Sequence, residues 1–448
     1  METIAAIATP PGQGAIALIR LSGSNAFSIA RSVFLSKTTK KTSDIEPFRP
    51  RVAHFGVISD HGIVLDEVLL TAFRAPASFT GEDVVEIACH GGSLVTRRIL
   101  ELLLRSGASA AAPGEFTRRA FLNGKLDLTQ AEAVMDIIGA QSDLALKAAA
   151  RQLEGRLGNW IRSFHSELLD LSAHVEAFID FPEEDISPDT GAVMLGRMRE
   201  KIADLERLLA TAQQGRVLRA GVRTVLSGPP NVGKSSLLNL LLGFDRAIVS
   251  ALPGTTRDTL EEAIMVQGWP LRLVDTAGLR DSADALEQAG ILRAQEQRNQ
   301  ADLVLVVFDG ALSAPAPLPA QDPRMLWVLN KADLVEHPSW RGVSAVRISC
   351  VSQRGLADLE AAVVGKLQQI LGQSEAENDV TINARHHECL KRSADFLKAA
   401  EAAFINKLPP EFVAEELRAS LAAAGEVVGR ADTEDLLGRI FSTFCIGK

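Results

Sequence analysis

Residues 227–236 read SGPPNVGKSS, between the β-branched run GVRTVL (221–226) and the apolar SLLNLLLG (236–243). Strand, glycine-rich turn and helix in that order make a phosphate-binding loop. Glycines let backbone N–H groups face a phosphate, and the helix N-terminus adds a positive end. Gly228, Gly233, Lys234 and Ser235 hold the G-x-x-x-x-G-K-S spacing. The lysine would neutralise phosphate charge and Ser235 would reach Mg2+. The stretch therefore predicts a parallel sheet flanked by helices in the surrounding chain.

Downstream, β-branched runs alternate with helical text as far as LADLEAAVVGKLQQILG (356–372). LRLVDTAGL (271–279) puts Asp275 at a strand end, where a carboxylate can hold a metal's water shell, and Gly278 where its amide can face a γ-phosphate. MLWVLNKAD (325–333) ends another strand with Asn330, Lys331 and Asp333. An aspartate there can accept hydrogens from both guanine N1 and its exocyclic amine. Adenine does not offer that pair, so the nucleotide is read as GTP. RISCVSQRG (347–355) fits the last base-contacting loop, and the motif order resembles translation-factor-related small GTPases. Nucleotide contacts are expected from Asn231, Val232, Gly233, Lys234, Ser235 and Ser236, then from Ser250, Ala251, Leu252, Pro253, Gly254, Thr255 and Thr256. Asp275, Thr276, Ala277 and Gly278, the group Asn330, Lys331, Ala332 and Asp333, and finally Ser349, Cys350 and Val351 complete the set. Ser235 and Thr256 are the expected magnesium ligands. Leu279 stands where Ras-like proteins carry a water-orienting glutamine, work a leucine cannot do.

The 448 residues correspond to roughly three domains by length. An apolar fraction of 46% with 23% charged residues is that of a globular protein able to bury sizeable cores. The net charge of -9 argues against a broadly basic nucleic-acid surface, so such a partner would need a local basic patch or a helper protein. RHHECLKRS (385–393) offers basic residues of that kind, although a solvated helix face explains them equally well. The opening METIAAIATPPGQG lacks a signal-peptide pattern, and no run approaches the ~18 apolar residues of a membrane span, so a cytoplasmic protein without membrane contact is expected. Cys89, Cys350, Cys389 and Cys445 lie far apart, indicating neither a zinc knuckle nor a disulfide framework.

The fold class expected is multidomain α/β plus α. Residues 1–120 mix strands and helices as an α+β domain: GAIALIRL and IVLDEVLLTAF read as strands, and DVVEIACHGG with SLVTRRILELLLRSG as strand, turn and helix ending at Gly107. Residues 121–217 and 376–448 form a discontinuous helical domain, interrupted by a GTPase domain at 218–375. DTEDLLGRIFSTF (432–444) starts at a capping Asp432 and sets Leu436, Leu437, Ile440, Phe441 and Phe444 on one helical face. FCIGK (444–448) therefore reads as docked; glycine and the final lysine speak against a prenylation signal.

From end to end the chain resembles the MnmE (TrmE) family of tRNA-modification GTPases. The likeness is carried by ATPPGQGAIALIR (8–20), SFTGEDVVEIACHGG (78–92), PGEFTRRAFLNGKLDLTQAEA (113–133), the inserted Ras-like GTPase and TEDLLGRIFSTFCIGK (433–448). The resemblance implies a potassium ion in place of an arginine finger, held by Asn231 and Thr255 and by the backbone oxygens of Ser250 and Leu252. It implies Glu287 as the catalytic group orienting water, and face-to-face pairing of GTPase domains in a homodimer. It further implies that the amino-terminal domain binds 5-formyl- or 5,10-methylene-tetrahydrofolate through Arg20, Glu86, Lys125 and Lys448. Cys445 would lie beside the one-carbon donor. The implied partner is the flavoprotein MnmG, carrying FAD and using NADH, in a heterotetramer or larger. Together they would modify C5 of wobble uridine in tRNA with a carboxymethylaminomethyl or aminomethyl group. The rival reading is a GTP-dependent switch, such as a ribosome-assembly factor, without one-carbon chemistry.

Overall fold

The computed structural model describes residues 2–37, 48–180, 188–243, 261–274, 296–318, 322–371, 380–430 and 434–448. The expectations for Ser250 to Thr256, Asp275 to Leu279, Glu287 and Asp432, and for the Leu436 side chain, lie outside that description. The chain divides into two compact units, Met1–Met135 with Ala424–Lys448, and Asp136–Ala423.

The first unit holds a seven-stranded sheet of β1 (Ile4–Ile7), β2 (Ile16–Ser22), β3 (Phe34–Ser36), β4 (Ala53–Asp60), β5 (Ile63–Phe73), β6 (Val84–His90) and β7 (Ser109–Ala110), in the order β3-β4-β5-β6-β2-β1-β7. All neighbours run antiparallel except β1 and β7. His61 and Gly62 both take positive φ, which suits the tight turn joining β4 to β5. Alternation decides which face is buried. In β6, Val85, Ile87 and Cys89 enter the core while Glu86 and Ala88 lie on the more open face. The buried face is closed by the helices Ala26–Val33 and Ser93–Arg105, whose Ile29, Val33, Ile99 and Leu103 join Ile19, Leu21, Ile58, Leu70 and Ile87. The latter helix runs into a turn at Gly107, as its sequence predicts.

The helix Glu434–Ser442 lies in this first unit. Leu437, Phe441 and Phe444 pack on Leu128 and Ala131, with Ile440 at the margin. One apolar face is enough to dock it, and periodicity alone does not say against what.

The second unit contains the helices Asp143–Leu153, Arg156–Asp180, Pro188–Ala210, Ala212–Ala220 and Ala384–Ile405, with the second sheet set between the last two in sequence. That sheet comprises β8 (Val222–Ser227), β9 (Glu261–Val266), β10 (Trp269–Val274), β11 (Leu303–Asp309), β12 (Met325–Asn330) and β13 (Val346–Arg347), in the order β13-β12-β11-β8-β10-β9. Only β9 with β10 is antiparallel. Central β11, LVLVVFD, is buried along its whole length, as a parallel strand covered on both faces must be. The chain passes into the sheet through Ala212–Ala220 and returns to the helices at 380–383. The two passages touch, since a Cβ on Gly215 would lie 2.3 Å from the Ile382 carbonyl oxygen. Among the described residues, no helix is long and apolar enough to cross a membrane.

Candidate functional site

The phosphate loop leaves β8 at Ser227 and ends where Gly233 caps the helix Lys234–Leu242. Gly233 has φ +97°, and a Cβ there would sit 2.2 Å from Asn330 Nδ2, so backbone conformation and close approach both demand glycine. Asn330 explains the closeness. It is 3% exposed, donates from Nδ2 to the Val232 carbonyl at 2.9 Å, and accepts the Cys350 N–H on Oδ1 at 3.2 Å. One side chain thus ties the phosphate loop to the loop of Ser349 and Cys350. Lys234 folds over its own loop, donating to the carbonyls of Gly228 at 3.0 Å and Pro229 at 2.6 Å. Burial pushes its ammonium below its ordinary pKa. Ser235 and Ser236 stand exposed in the first helical turn, and Asn231 is exposed with φ +63°.

At the end of β12, Lys331 adopts φ +65°, a left-handed conformation costing a non-glycine residue on the order of 1–2 kcal/mol. Its ammonium meets Asp309 Oδ2 at 2.5 Å, and that carboxylate is 8% exposed. Asp309 also accepts the Ala311 N–H at 3.0 Å. Asp333 is exposed, and one of its carboxylate oxygens accepts the Ser349 hydroxyl at 2.5 Å. Ser349 is buried, and its own oxygen accepts the Ser352 N–H at 3.1 Å. The Asp333 carboxylate is therefore held in one orientation.

In the first unit, Arg20 on β2 and Glu86 on β6 are register partners. Arg20 Nε and Nη2 both donate to Glu86 Oε1, at 2.9 and 2.7 Å. The guanidinium carbon lies 5.4 Å from the Phe79 ring centroid and 5.7 Å from that of Phe116. These two aromatic residues gather the remaining candidates. The Phe116 N–H donates to the Lys448 carbonyl at 3.2 Å, and the neighbouring Gly114 N–H to that of Cys445 at 3.4 Å. Lys125 Nζ donates to the Pro76 carbonyl at 3.1 Å, in the loop that carries Phe79. Arg119, 5% exposed, clamps the same loop through Glu82 at 3.1 Å and holds Glu115 at 2.7 Å.

Arg20, Glu86, Lys448 and Cys445 are thus brought to the surroundings of Phe116, whereas Lys125 is exposed at the loop's edge. Phe79, Phe116, Arg119 and Asp309 were not expected from sequence. The charged run FTRRAF (116–121) gave the one available signal for the first unit, and an aspartate closing a buried strand the signal for Asp309. Among the described residues no group of three or more His, Cys, Asp or Glu could hold a metal ion. His386 instead serves a helix start: Asn383 Oδ1 accepts its N–H at 2.8 Å, and its Nδ1 accepts the Asn383 N–H at 3.3 Å.

Comparison with known proteins adds a lineage. A family model described as "MnmE helical domain" matches residues 128–445, and one described as "GTP-binding protein TrmE N-terminus" matches residues 3–125. A protein of Akkermansia muciniphila named tRNA modification GTPase MnmE is 50% identical over 100% of this chain and 99% of its own. The protein of that name from Moorella thermoacetica is 45% identical with the same coverage. Among solved structures, the G domain of the T. maritima FeoB iron transporter covers 33% of this chain and 99% of its own at 26% identity, with a TM-score of 0.25.

Proposed function

Because the chain belongs to the MnmE family of tRNA-modification GTPases, we propose that its GTP hydrolysis drives modification of C5 of wobble uridine in tRNA, with a tetrahydrofolate as one-carbon donor and MnmG as partner. The observation that carries the folate half is the meeting of Arg20, Glu86, Phe79 and Phe116 beside Cys445 and Lys448. A carboxylate suits an aminopyrimidine edge, the rings suit a flat heterocycle, and the cations suit a glutamate tail. When bound, a reduced folate supplies the carbon at the methylene or formyl oxidation level.

In the GTPase part, Lys234 would exchange its own loop carbonyls for the phosphates, and Ser235 with Thr256 would hold Mg2+, which would neutralise phosphate charge. Asp333, steadied by Ser349, reads the base. Asn231, Ser250, Leu252 and Thr255 would hold a potassium ion, which would supply positive charge to the phosphates as they react, and Glu287 would orient the attacking water. Two chains pair through their GTPase domains to complete that arrangement, and the protein works in the cytoplasm with FAD and NADH on MnmG.

The deciding experiment is nucleoside analysis of tRNA from cells lacking the protein, alongside titration of the purified chain with 5-formyl-tetrahydrofolate. Loss of the C5 modification and a measurable binding heat are expected. Unchanged tRNA together with no folate binding would overturn the proposal in favour of a GTP-dependent assembly switch.

A further inference from the structure

We infer that Asp309 is a positioning residue for guanine selectivity: it captures the Lys331 ammonium and so holds the turn that aims Asp333 at the base. Asp309 closes the fully buried β11, and Lys331 directly follows Asn330, the last residue of the neighbouring β12. The carboxylate is itself fixed, because its other oxygen accepts the Ala311 N–H. Its reach to Lys331 therefore pins the side chain from an immobile point.

Lys331 needs such a pin. Left-handed conformations at non-glycine residues persist where the surroundings over-determine them. On one side Asn330 is locked by Val232 and Cys350. On the other, Ala332 is held by its N–H donating to the Ile348 carbonyl at 2.9 Å. Between these anchors the Lys331 ammonium is fixed by Asp309. Lys331 also borders a cavity of about 240 Å³ shared with Glu336 and Asp358, two further carboxylates. Without the charge at Asp309 the ammonium is free to move towards them, and the turn carrying Asp333 relaxes with it. Asp333 can then still attract a purine but no longer accepts two hydrogens in register, so the discrimination against a base lacking the exocyclic amine falls.

The inference rests on the reading of Asp333 as the guanine contact, and the two can fail separately. The full-length protein is titrated with GDP, IDP and ADP, for wild type, Asp309→Asn, Lys331→Met and Asp309→Asn/Lys331→Gly. Asp309→Asn keeps the acceptor for Ala311, and Lys331→Met alters a residue 36% exposed at its side chain, so at least one of the two variants remains folded. Both are expected to lose roughly fivefold or more in GDP-over-IDP selectivity. Glycine at 331 adopts the left-handed turn unaided and restores the ratio in the double variant, even where overall affinity stays lower. An unchanged ratio in both single variants, or equal losses for GDP and IDP, would overturn the inference. A wild-type protein that fails to prefer GDP to ADP would instead overturn the guanine reading itself.

Discussion

The backbone N–H of Phe116 donates to the carbonyl of Lys448 at 3.2 Å, while the Phe116 ring lies against the Arg20 guanidinium. Residues distant in sequence thereby meet around one ring, where the folate site is proposed. Gly447 makes this fit feasible. Its φ is +92°, and a Cβ there would come within 2.5 Å of the Ile7 carbonyl oxygen and 2.8 Å of the Ala8 Cα.

Gly447→Ala is therefore expected to lift residues 445–448 from β1. Affinity for 5-formyl-tetrahydrofolate should fall at least about tenfold, since the pocket loses a wall, with GTP hydrolysis by the unpaired chain unchanged. Calorimetric titration checks it; wild-type affinity would mean that this segment does not form the pocket.

Arg20→Lys tests the aromatic setting. A lysine keeps the charge but cannot present a planar fork to Glu86 between two rings. Folate affinity should drop about tenfold or more, with a melting temperature shifted by only a few degrees. A variant binding folate normally would show that charge alone suffices.

Asn330→Ala removes the tie between the phosphate loop and the Cys350 loop. It leaves two partners unpaired in a buried setting, a cost of about 2–4 kcal/mol in urea unfolding. GDP affinity should weaken by tenfold or more as the two loops decouple. Retained stability and retained affinity would both count against the tie.

Burial pushes the Cys89 thiol up to about 11 from 9.0, with the Asp66 carboxylate adding to the effect. Because the folded value is raised, the contribution is fully present below pH 9 and is lost as the unfolded chain ionises between pH 9 and 11. The wild type should lose roughly 2–3 kcal/mol across that window relative to Cys89→Ala. Parallel unfolding curves at pH 8 and 10.5 decide; identical pH profiles would refute the burial argument.

The proposed potassium site includes Asn231, which is exposed in the phosphate loop. At equal ionic strength, GTP turnover should be at least about tenfold faster in KCl than in NaCl, and Asn231→Ala should remove most of that difference. Equal wild-type rates in both salts would dispose of the potassium site.

Much of this architecture could be read from local pattern. The run GAIALIRL supplies all of β2 but its last residue, Gly14 and Ala15 preceding the strand, IVLDEVLLTAF is β5, and the strand, glycine turn and helix around Lys234 occur where their residues put them. These depend on alternation, helical spacing and turn chemistry within a few residues. Contacts between distant segments were less legible. Arg20 does not announce Phe79 or Phe116, and Asp309 is separated from Lys331 by a whole strand and its connection. The helix Glu434–Ser442 likewise shows an apolar face without naming Leu128 as its partner.

The meeting of Gly215 with Ile382 gives the nucleotide-binding segment the character of a cassette. Its two ends are adjacent, so a short connector from 215 to 382 should let the remaining helices close up without it. The converse also holds. Because the cost of closing a loop grows only logarithmically with its length, the helical scaffold is nearly indifferent to how large the inserted piece becomes. A different nucleotide-driven module spliced through the same doorway would deliver its motion to the scaffold there and where the β9–β10 turn at Gly268 approaches Leu144.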